Sequence, residues 1–100
     1  MPGFVCMLEI RLHLAGNGSL KGKRRELRPL KAALQHRFGA AVAETDHHDL
    51  WQRATLSAAI IGREAGEVAE TSAAIERFVR ASFPDGASVE RRLRSEEEIV

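Results

Sequence analysis

Residues 19–38 read SLKGKRRELRPLKAALQHRF, a stretch that combines an apolar stripe with the densest positive charge in the chain. The apolar residues recur at spacings of seven, three, four and four, which is typical of the inner face of an amphipathic helix. They are Leu20, Leu27, Leu30, Leu34 and Phe38. Ser19 is suited to cap the start of this helix and Gly39 to end it. The stretch therefore predicts a helix that packs one face against a core.

The basic residues of the same stretch are candidates for contact with phosphate. They are Lys21, Lys23, Arg24, Arg25, Arg28 and Lys31. Several lie near the positive end of the helix dipole, where each cation costs roughly 0.3–1 kcal/mol. Gly22 weakens the helix further, and Pro29 predicts a kink or a restart. A later helix instead begins with glutamates and ends with arginines, the order that the dipole favours. The contrast favours RNA phosphate contact over the alternative, a solvated helix face.

Length and composition indicate one domain with an uneven charge. One hundred residues are enough for a single modest core. We expect one domain over residues 1–100, with its core at about 4–94 and a loosely held tail at 95–100. The net charge of +1 hides seven Lys or Arg residues against a single Glu between positions 21 and 37. Most of the 15 basic residues are Arg, whose planar fork pairs well with phosphate.

Cysteine use and hydropathy bear on the compartment. Cys6 is the only cysteine, so an internal disulfide is impossible, and its alternating apolar surroundings indicate a core position. No pattern of a signal peptide is visible, and no apolar run approaches the length of about 18 residues that a membrane span needs. We therefore expect a cytoplasmic protein with no membrane partner.

The order of the predicted elements indicates the fold. Residues 4–14 alternate strictly between core-facing apolar positions and a second face, which predicts a half-buried strand. Further strands are expected at 40–45, within 52–62 and around Val89 and Leu93, and a second helix at 64–83. The order strand, helix, strand, strand, helix, strand predicts an α+β, ferredoxin-like split βαβ fold. In it two helices cover one face of a four-stranded antiparallel sheet, and residues 40–45 form a sheet edge.

Three segments together resemble a known family. They are SLKGKRRELRPLK at 19–31, AVAETDHHDLWQRATLSAAII at 41–61 and the opening alternating strand. These segments resemble the YlxP-like family of small bacterial proteins, a domain of unknown function. The string DHHDLWQRAT at 46–55 is the most specific part. The resemblance implies a ferredoxin-like fold and a setting near translation, because members tend to be encoded beside an initiation factor and a ribosome-binding factor. It implies no activity and assigns no catalytic residue.

A cluster of acidic and histidine residues raises a metal hypothesis. The cluster consists of Asp46, His47, His48 and Asp49. Imidazoles and carboxylates bind a zinc-like ion, but on an extended strand only alternate side chains share a face. A third ligand would have to come from elsewhere, such as Glu44 or His13. The alternatives are turn chemistry, in which an aspartate caps backbone amides, and protonated histidines on a phosphate-binding surface. No nucleophile is paired with a base, so we expect neither an enzyme nor a cofactor.

Trp51, the only tryptophan, has two interpretations. It is either an anchor of the hairpin, packed at the end of the sheet, or an interface residue together with Arg53. The uncharged edge strand bears on the second interpretation, because such an edge is a template for pairing unless it is covered. Homodimerisation through this edge or through the open sheet face is therefore expected.

Three hypotheses for the function follow. The leading one is a non-enzymatic RNA-binding or ribosome-associated accessory protein that uses the basic helix; no DNA partner is expected. Structured or double-stranded RNA is favoured over single strands, because the open sheet face lacks aromatic residues for stacking. The residues expected on the open sheet face include Met7, Glu9, Arg53 and Thr55. The second hypothesis is a protein-interaction or dimerisation module that docks an acidic partner. The third is a metal-assisted hydrolase at residues 46–49.

Overall fold

Four strands and three helices make up the structure, a computed structural model that describes residues 2–99. They follow in the order β1 (Phe4–His13), α1 (Leu20–His36), β2 (Ala41–Asp46), β3 (Arg53–Gly62), α2 (Ala65–Ser82), β4 (Ala87–Ser95) and α3 (Glu96–Ile99). The strands form one antiparallel sheet in the order β2-β3-β1-β4. The predicted ferredoxin-like α+β fold is confirmed, with β2 at an edge. The outermost positions of the predicted domain, 1 and 100, lie outside the described residues. No described helix is long and apolar enough to cross a membrane.

The alternation of β1 decides which face of the sheet the helices cover. Leu8 and Ile10 are at most 1% exposed, whereas Met7 between Cys6 and Leu8 is 47% exposed. Because β1 lies in the middle of the sheet, its partners in β3 follow the same alternation: Leu8 pairs with Ala58, and Ala58 is also buried. The apolar stripe of α1 packs against this buried face of the sheet through Leu27, Leu30 and Leu34. The remaining sheet face is open to solvent.

The ends of α1 follow the sequence signals, and the helix is continuous between them. The Ser19 hydroxyl accepts a hydrogen bond from the Gly22 amide at 2.9 Å. At the other end Gly39 has a positive φ of 69°. The helix runs through Pro29 without the predicted restart. Arg25 and Pro29 are both exposed, so water can satisfy the carbonyl that the proline leaves without a donor.

Hydrogen bonds to Glu76 tie α2 to β4. Its carboxylate accepts from Arg80 Nε at 2.8 Å and from Arg91 Nε at 2.9 Å. Arg91 also donates to the hydroxyl of the buried Ser72 at 2.9 Å. The hydrogen bond from Arg80, aided by that from Arg91, outweighs partial desolvation and holds the pKa of Glu76 below its usual 4.5.

Residues 96–99 form the short helix α3 and contact the beginning of the chain. The Glu96 amide donates to the Gly3 carbonyl at 2.9 Å, and the Gly3 amide donates to the Glu96 carboxylate at 2.9 Å. The Ser95 amide donates to Glu98, and this hydrogen bond lowers the pKa of that carboxyl. The short α3 is thus joined to the beginning of the chain, a contact that local sequence patterns do not encode.

Replacing Glu76 with Gln removes the charge that Arg80 and Arg91 share. We expect the free energy of unfolding near pH 7 to fall by about 1 kcal/mol, because partial exposure to water screens the pairs. The folded pKa of Glu76 is lowered, so its contribution is present above the usual 4.5 and is lost as pH falls through the folded value. The difference between variant and parent should therefore shrink as the pH falls below the usual 4.5, as urea denaturation near pH 7 and below that value would measure.

The matched control is Glu70→Gln, which removes another ion pair of α2. Glu70 and Arg77 pair at 3.3 Å with side chains 75% and 67% exposed, whereas the Glu76 side chain is 23% exposed. The control should change the unfolding free energy by less than about 0.5 kcal/mol. Equal losses of unfolding free energy from the two variants would show that the Glu76 network adds no more to stability than an exposed ion pair does.

Candidate nucleic-acid interface

Five cations along α1 form a continuous surface, here called the basic flank. They are Lys21, Arg24, Arg25, Arg28 and Lys31. Within residues 2–99, none of the five forms an ion pair with a carboxylate. Five arginines elsewhere do: Arg11, Arg77, Arg80, Arg91 and Arg92. The basic flank is therefore positive charge that the described part of the fold leaves unbalanced.

A groove of about 530 Å³ runs beside the basic flank. It is lined by Arg24, Leu27, Arg28, Lys31, Ala32, Gln35 and Glu44. Three of these side chains are cations from α1, and the one anion, Glu44, comes from β2 and is paired with a lysine of the interior. The groove therefore presents net positive charge to a ligand, which favours an anion.

Lys23 is the exception among the six predicted phosphate contacts, and the structure corrects its placement. Its side chain is buried, with the residue only 2% exposed. The ammonium donates to the carbonyl oxygens of His47 at 2.6 Å and Leu50 at 3.1 Å. It also lies 2.8 Å from Oε2 of Glu44. Lys23 is thus occupied inside the protein by Glu44 and by residues 47–52, here called the clasped loop, and it does not belong to the basic flank.

The position of Lys23 on the helix explains its burial. It lies four residues before Leu27 and seven before Leu30, which puts it within the apolar stripe. The helical spacing therefore indicated that Lys23 is buried, although a lysine is usually exposed at the protein surface. The approach of its ammonium to Glu44 Oε2 lacks the direction of a hydrogen bond, so that buried oxygen is held by charge alone. A lysine in the stripe needs such partners because an unpaired buried charge is costly.

The clasped loop is also held from the turn between β1 and α1. The Asn17 side-chain amide donates to the carbonyl of Trp51, and the Leu14 amide donates to the carbonyl of Gln52 at 2.8 Å. Gly22 makes room for this contact, because a Cβ at that position would collide with Asn17 Oδ1. A side chain at position 22 would therefore displace the Asn17 amide that binds the Trp51 carbonyl.

The residues of the acidic and histidine cluster form hydrogen bonds within the turn and with the adjoining strands. His47 has a left-handed φ of 63°, and its ring Nδ1 lies 2.9 Å from the Thr55 hydroxyl. Its amide donates to Asp46 Oδ1 at 2.7 Å. The ring Nε2 of His48 lies 3.0 Å from the Glu44 carbonyl. In the described part of the chain, no three His, Cys, Asp or Glu side chains come close enough to hold a metal ion. The geometry is that of turn chemistry and gives the hydrolase hypothesis no ligand set.

Leu50 and Trp51 project from the clasped loop into solvent, with 47% and 53% of their surface exposed. Trp51 is therefore not buried as a packed anchor would be, while its carbonyl is held by Asn17. A cleft of about 380 Å³ beside the ring is lined by Asp49, Leu50, Trp51, Gln52 and Arg53. An exposed aromatic side chain on a fixed backbone is suited to contact a partner.

A polar pocket borders the clasped loop on the open sheet face. The pocket, of about 470 Å³, is lined by Arg11, His13, His47 and Arg53, with Asp85 as an acidic member. His13 and Arg53 are direct partners in the ladder between β1 and β3. The clasped loop thus contacts α1 through Lys23 and borders this pocket through His47.

Comparisons with known proteins give a family and support the fold. A family model described as a protein of unknown function (DUF503) matches residues 5–92. No curated protein gives a match. The de novo designed protein Foldit4 is similar, with a TM-score of 0.64 at 13% identity over 94% of this chain and 98% of that one. The 30S ribosomal protein S6 from Thermotoga maritima has a TM-score of 0.48 at 12% identity over 90% of this chain and 88% of that one. Likeness at these identities concerns the fold alone.

Replacing Lys23 with Ala should destabilise the protein strongly. We expect a loss of about 3 kcal/mol, because Glu44 would keep a largely buried charge without its partner and two loop carbonyls would lose their donor. Arg24→Ala is the matched control, since the neighbouring residue is exposed and unpaired; its effect should stay below about 0.5 kcal/mol. Urea denaturation measures both. Similar effects for the two variants would contradict the structural role of Lys23.

Proposed function

The chain belongs to the DUF503 family of proteins of unknown function, and we propose that it is a non-enzymatic protein that binds structured RNA through the basic flank. The observation that carries the proposal is the set of five α1 cations without a carboxylate partner in residues 2–99. Lys21 lies in the first turn of α1, where the helix dipole disfavours a cation, and none of the five pairs with a carboxylate within residues 2–99. Charge of this kind is suited to an external polyanion.

The shape of the basic flank favours RNA that is recognised through its backbone. Lys21 and Lys31 are separated by about 15 Å along the helix axis, a length that can contact several phosphates. The flank contains no aromatic residue, so it offers phosphate contacts and no readout of bases. The setting near translation that the YlxP-like resemblance implies makes ribosomal RNA the first RNA to test, and the cytoplasm the expected compartment.

Charge reversal tests the basic flank directly. The triple variant Arg24→Glu, Arg25→Glu, Arg28→Glu should lower affinity for a ribosomal RNA fragment at least roughly a hundredfold. Its stability should be unchanged or slightly higher, because glutamates suit the first half of a helix. For the parent, filter binding at several salt concentrations should give a slope of log affinity against log salt of about −3.5 to −4.5. The slope of the variant should be shallower.

A control variant changes the net charge equally but leaves the basic flank intact. Arg63, Arg92 and Arg94 lie after β3 and on β4, so replacing these three with Glu should weaken RNA binding far less. Equal weakening by both triple variants would mean that only net charge matters. A flat salt dependence of the parent would favour the alternative, a protein partner.

A second property, homodimerisation, is favoured by an apolar patch on the open sheet face. Ile61 and Met7 are 73% and 47% exposed. Ile61 pairs with Val5, and Met7 pairs with Ala59, which in turn pairs with Ala41 of the edge strand β2. The patch therefore crosses three neighbouring strands. A contiguous exposed apolar surface of this kind is typical of an interface between proteins.

Light scattering tests the dimer. The parent should have twice the chain mass of 11.0 kDa, and Ile61→Glu should have the mass of one chain. The control Ile99→Glu changes an isoleucine that is also exposed, at 57%, but lies on α3; it should leave the dimer intact. A parent that is already monomeric at micromolar concentration would rule out this interface. RNA affinity per chain should persist in Ile61→Glu, because the basic flank lies on the helix side.

A further inference from the structure

Trp51 lies where the basic flank begins. The Asn17 side chain donates to two carbonyls, that of Ser19 at 2.8 Å and that of Trp51. Ser19 caps α1, and the first residue of the basic flank, Lys21, follows two positions later. One side chain thus bridges the tryptophan backbone and the start of the helix that carries the cations. The backbone of Trp51 is therefore held next to the start of the helix that carries the basic flank.

The ring of Trp51 is available for contact although its backbone is fixed. Three elements hold the clasped loop: Lys23 binds its carbonyls, Asn17 binds the carbonyl of Trp51, and Leu14 binds that of Gln52. Trp51 as a whole residue is 53% exposed. A flat side chain on a backbone that is already ordered loses little entropy when it binds a partner.

The charges around the cleft indicate what kind of partner fits. Cations lie on both sides of the clasped loop, on the basic flank and at Arg53, which lines the pocket of the open face. The cleft beside Trp51 is lined by one acidic and one basic residue, Asp49 and Arg53, so it has no net charge. The positive charge of the basic flank therefore favours phosphates outside the cleft, and the cleft itself suits an uncharged group. A polyanion whose backbone passes the loop while a flat uncharged ring enters the cleft matches this pattern.

We propose that an unpaired nucleobase of a bound RNA stacks on Trp51, while flanking phosphates contact the basic flank on one side and Arg53 on the other. The proposal rests on the proposed function and deepens it: the preferred RNA is a duplex with an unpaired nucleotide next to it. No aromatic residue for stacking was expected from the open sheet face, because its strand positions hold none. The loop supplies one instead.

Intrinsic fluorescence tests the stacking, because Trp51 is the only tryptophan and reports this site alone. The probes are an RNA hairpin with a fully paired stem and the same stem with a short bulge. The bulged RNA should quench Trp51 and bind roughly five- to a hundredfold more tightly than the paired one. The paired stem should bind with the salt dependence of the basic flank and leave the fluorescence nearly unchanged.

Two variants separate stacking from mere apolar contact. Trp51→Phe should retain most of the preference for the bulged RNA, whereas Trp51→Leu should bind both RNAs equally. Because the ring is exposed, both variants should unfold at the same urea concentration as the parent. Both should also keep the parent affinity for the paired stem.

The outcomes distinguish this inference from the function on which it rests. If the paired stem binds but the bulge neither quenches Trp51 nor raises affinity, stacking is overturned and the basic flank proposal stands. Stacking is likewise overturned if Trp51→Leu keeps the preference for the bulge, and the Leu50 and Trp51 surface is then left to a protein partner. If neither RNA binds, both proposals are overturned.

Discussion

One buried ammonium group, that of Lys23, joins the part of the molecule that carries the charge to the part that carries the exposed tryptophan. A lysine in the apolar stripe of a helix is tolerated only if the interior supplies partners. Glu44 supplies the opposite charge, and the carbonyls of His47 and Leu50 accept hydrogen bonds. The loop must bend to present those carbonyls. His47 has a left-handed backbone conformation at that bend. The contacts of Lys23 with Glu44 and with the loop carbonyls are strong enough to hold this strained conformation.

Because the Lys23 ammonium is buried, residues that are neighbours in the sequence have different roles. Lys23 and Arg24 are adjacent in sequence, but about 100° of helical rotation turns one to the core and the other to solvent. The clasped loop shows a similar division between backbone and side chain. Its carbonyls are used inside the protein, so the side chains of Leu50 and Trp51 are left outside. A rigid apolar tip beside unbalanced positive charge is the result, and this combination suits RNA better than either feature alone.

Much of the fold was predictable, because local periodicity states which face of each element is buried. The alternation of residues 4–14, the Ser19 cap and the order of elements led to the observed sheet. The placement of Lys23 was not predicted, and that of Trp51 was left open between a packed anchor and an interface residue. Lysine is usually exposed, yet helical spacing buries this one; tryptophan is usually packed, yet this one is 53% exposed while Asn17 binds its carbonyl. Such partners lie far apart in sequence, where no local pattern records them.

The central claim is that the Lys23 ammonium is buried and holds the clasped loop. The rates at which the protons of the three lysine ammonium groups exchange with water test this claim most directly. NMR of Nζ-labelled protein at neutral pH should detect one slowly exchanging ammonium, that of Lys23, with couplings across hydrogen bonds to the carbonyls of His47 and Leu50. Lys21 and Lys31 belong to the basic flank, so their protons should exchange too fast to be seen. Three lysines that exchange equally fast would show that Lys23 is in water, and the clasped loop would then have no internal hold.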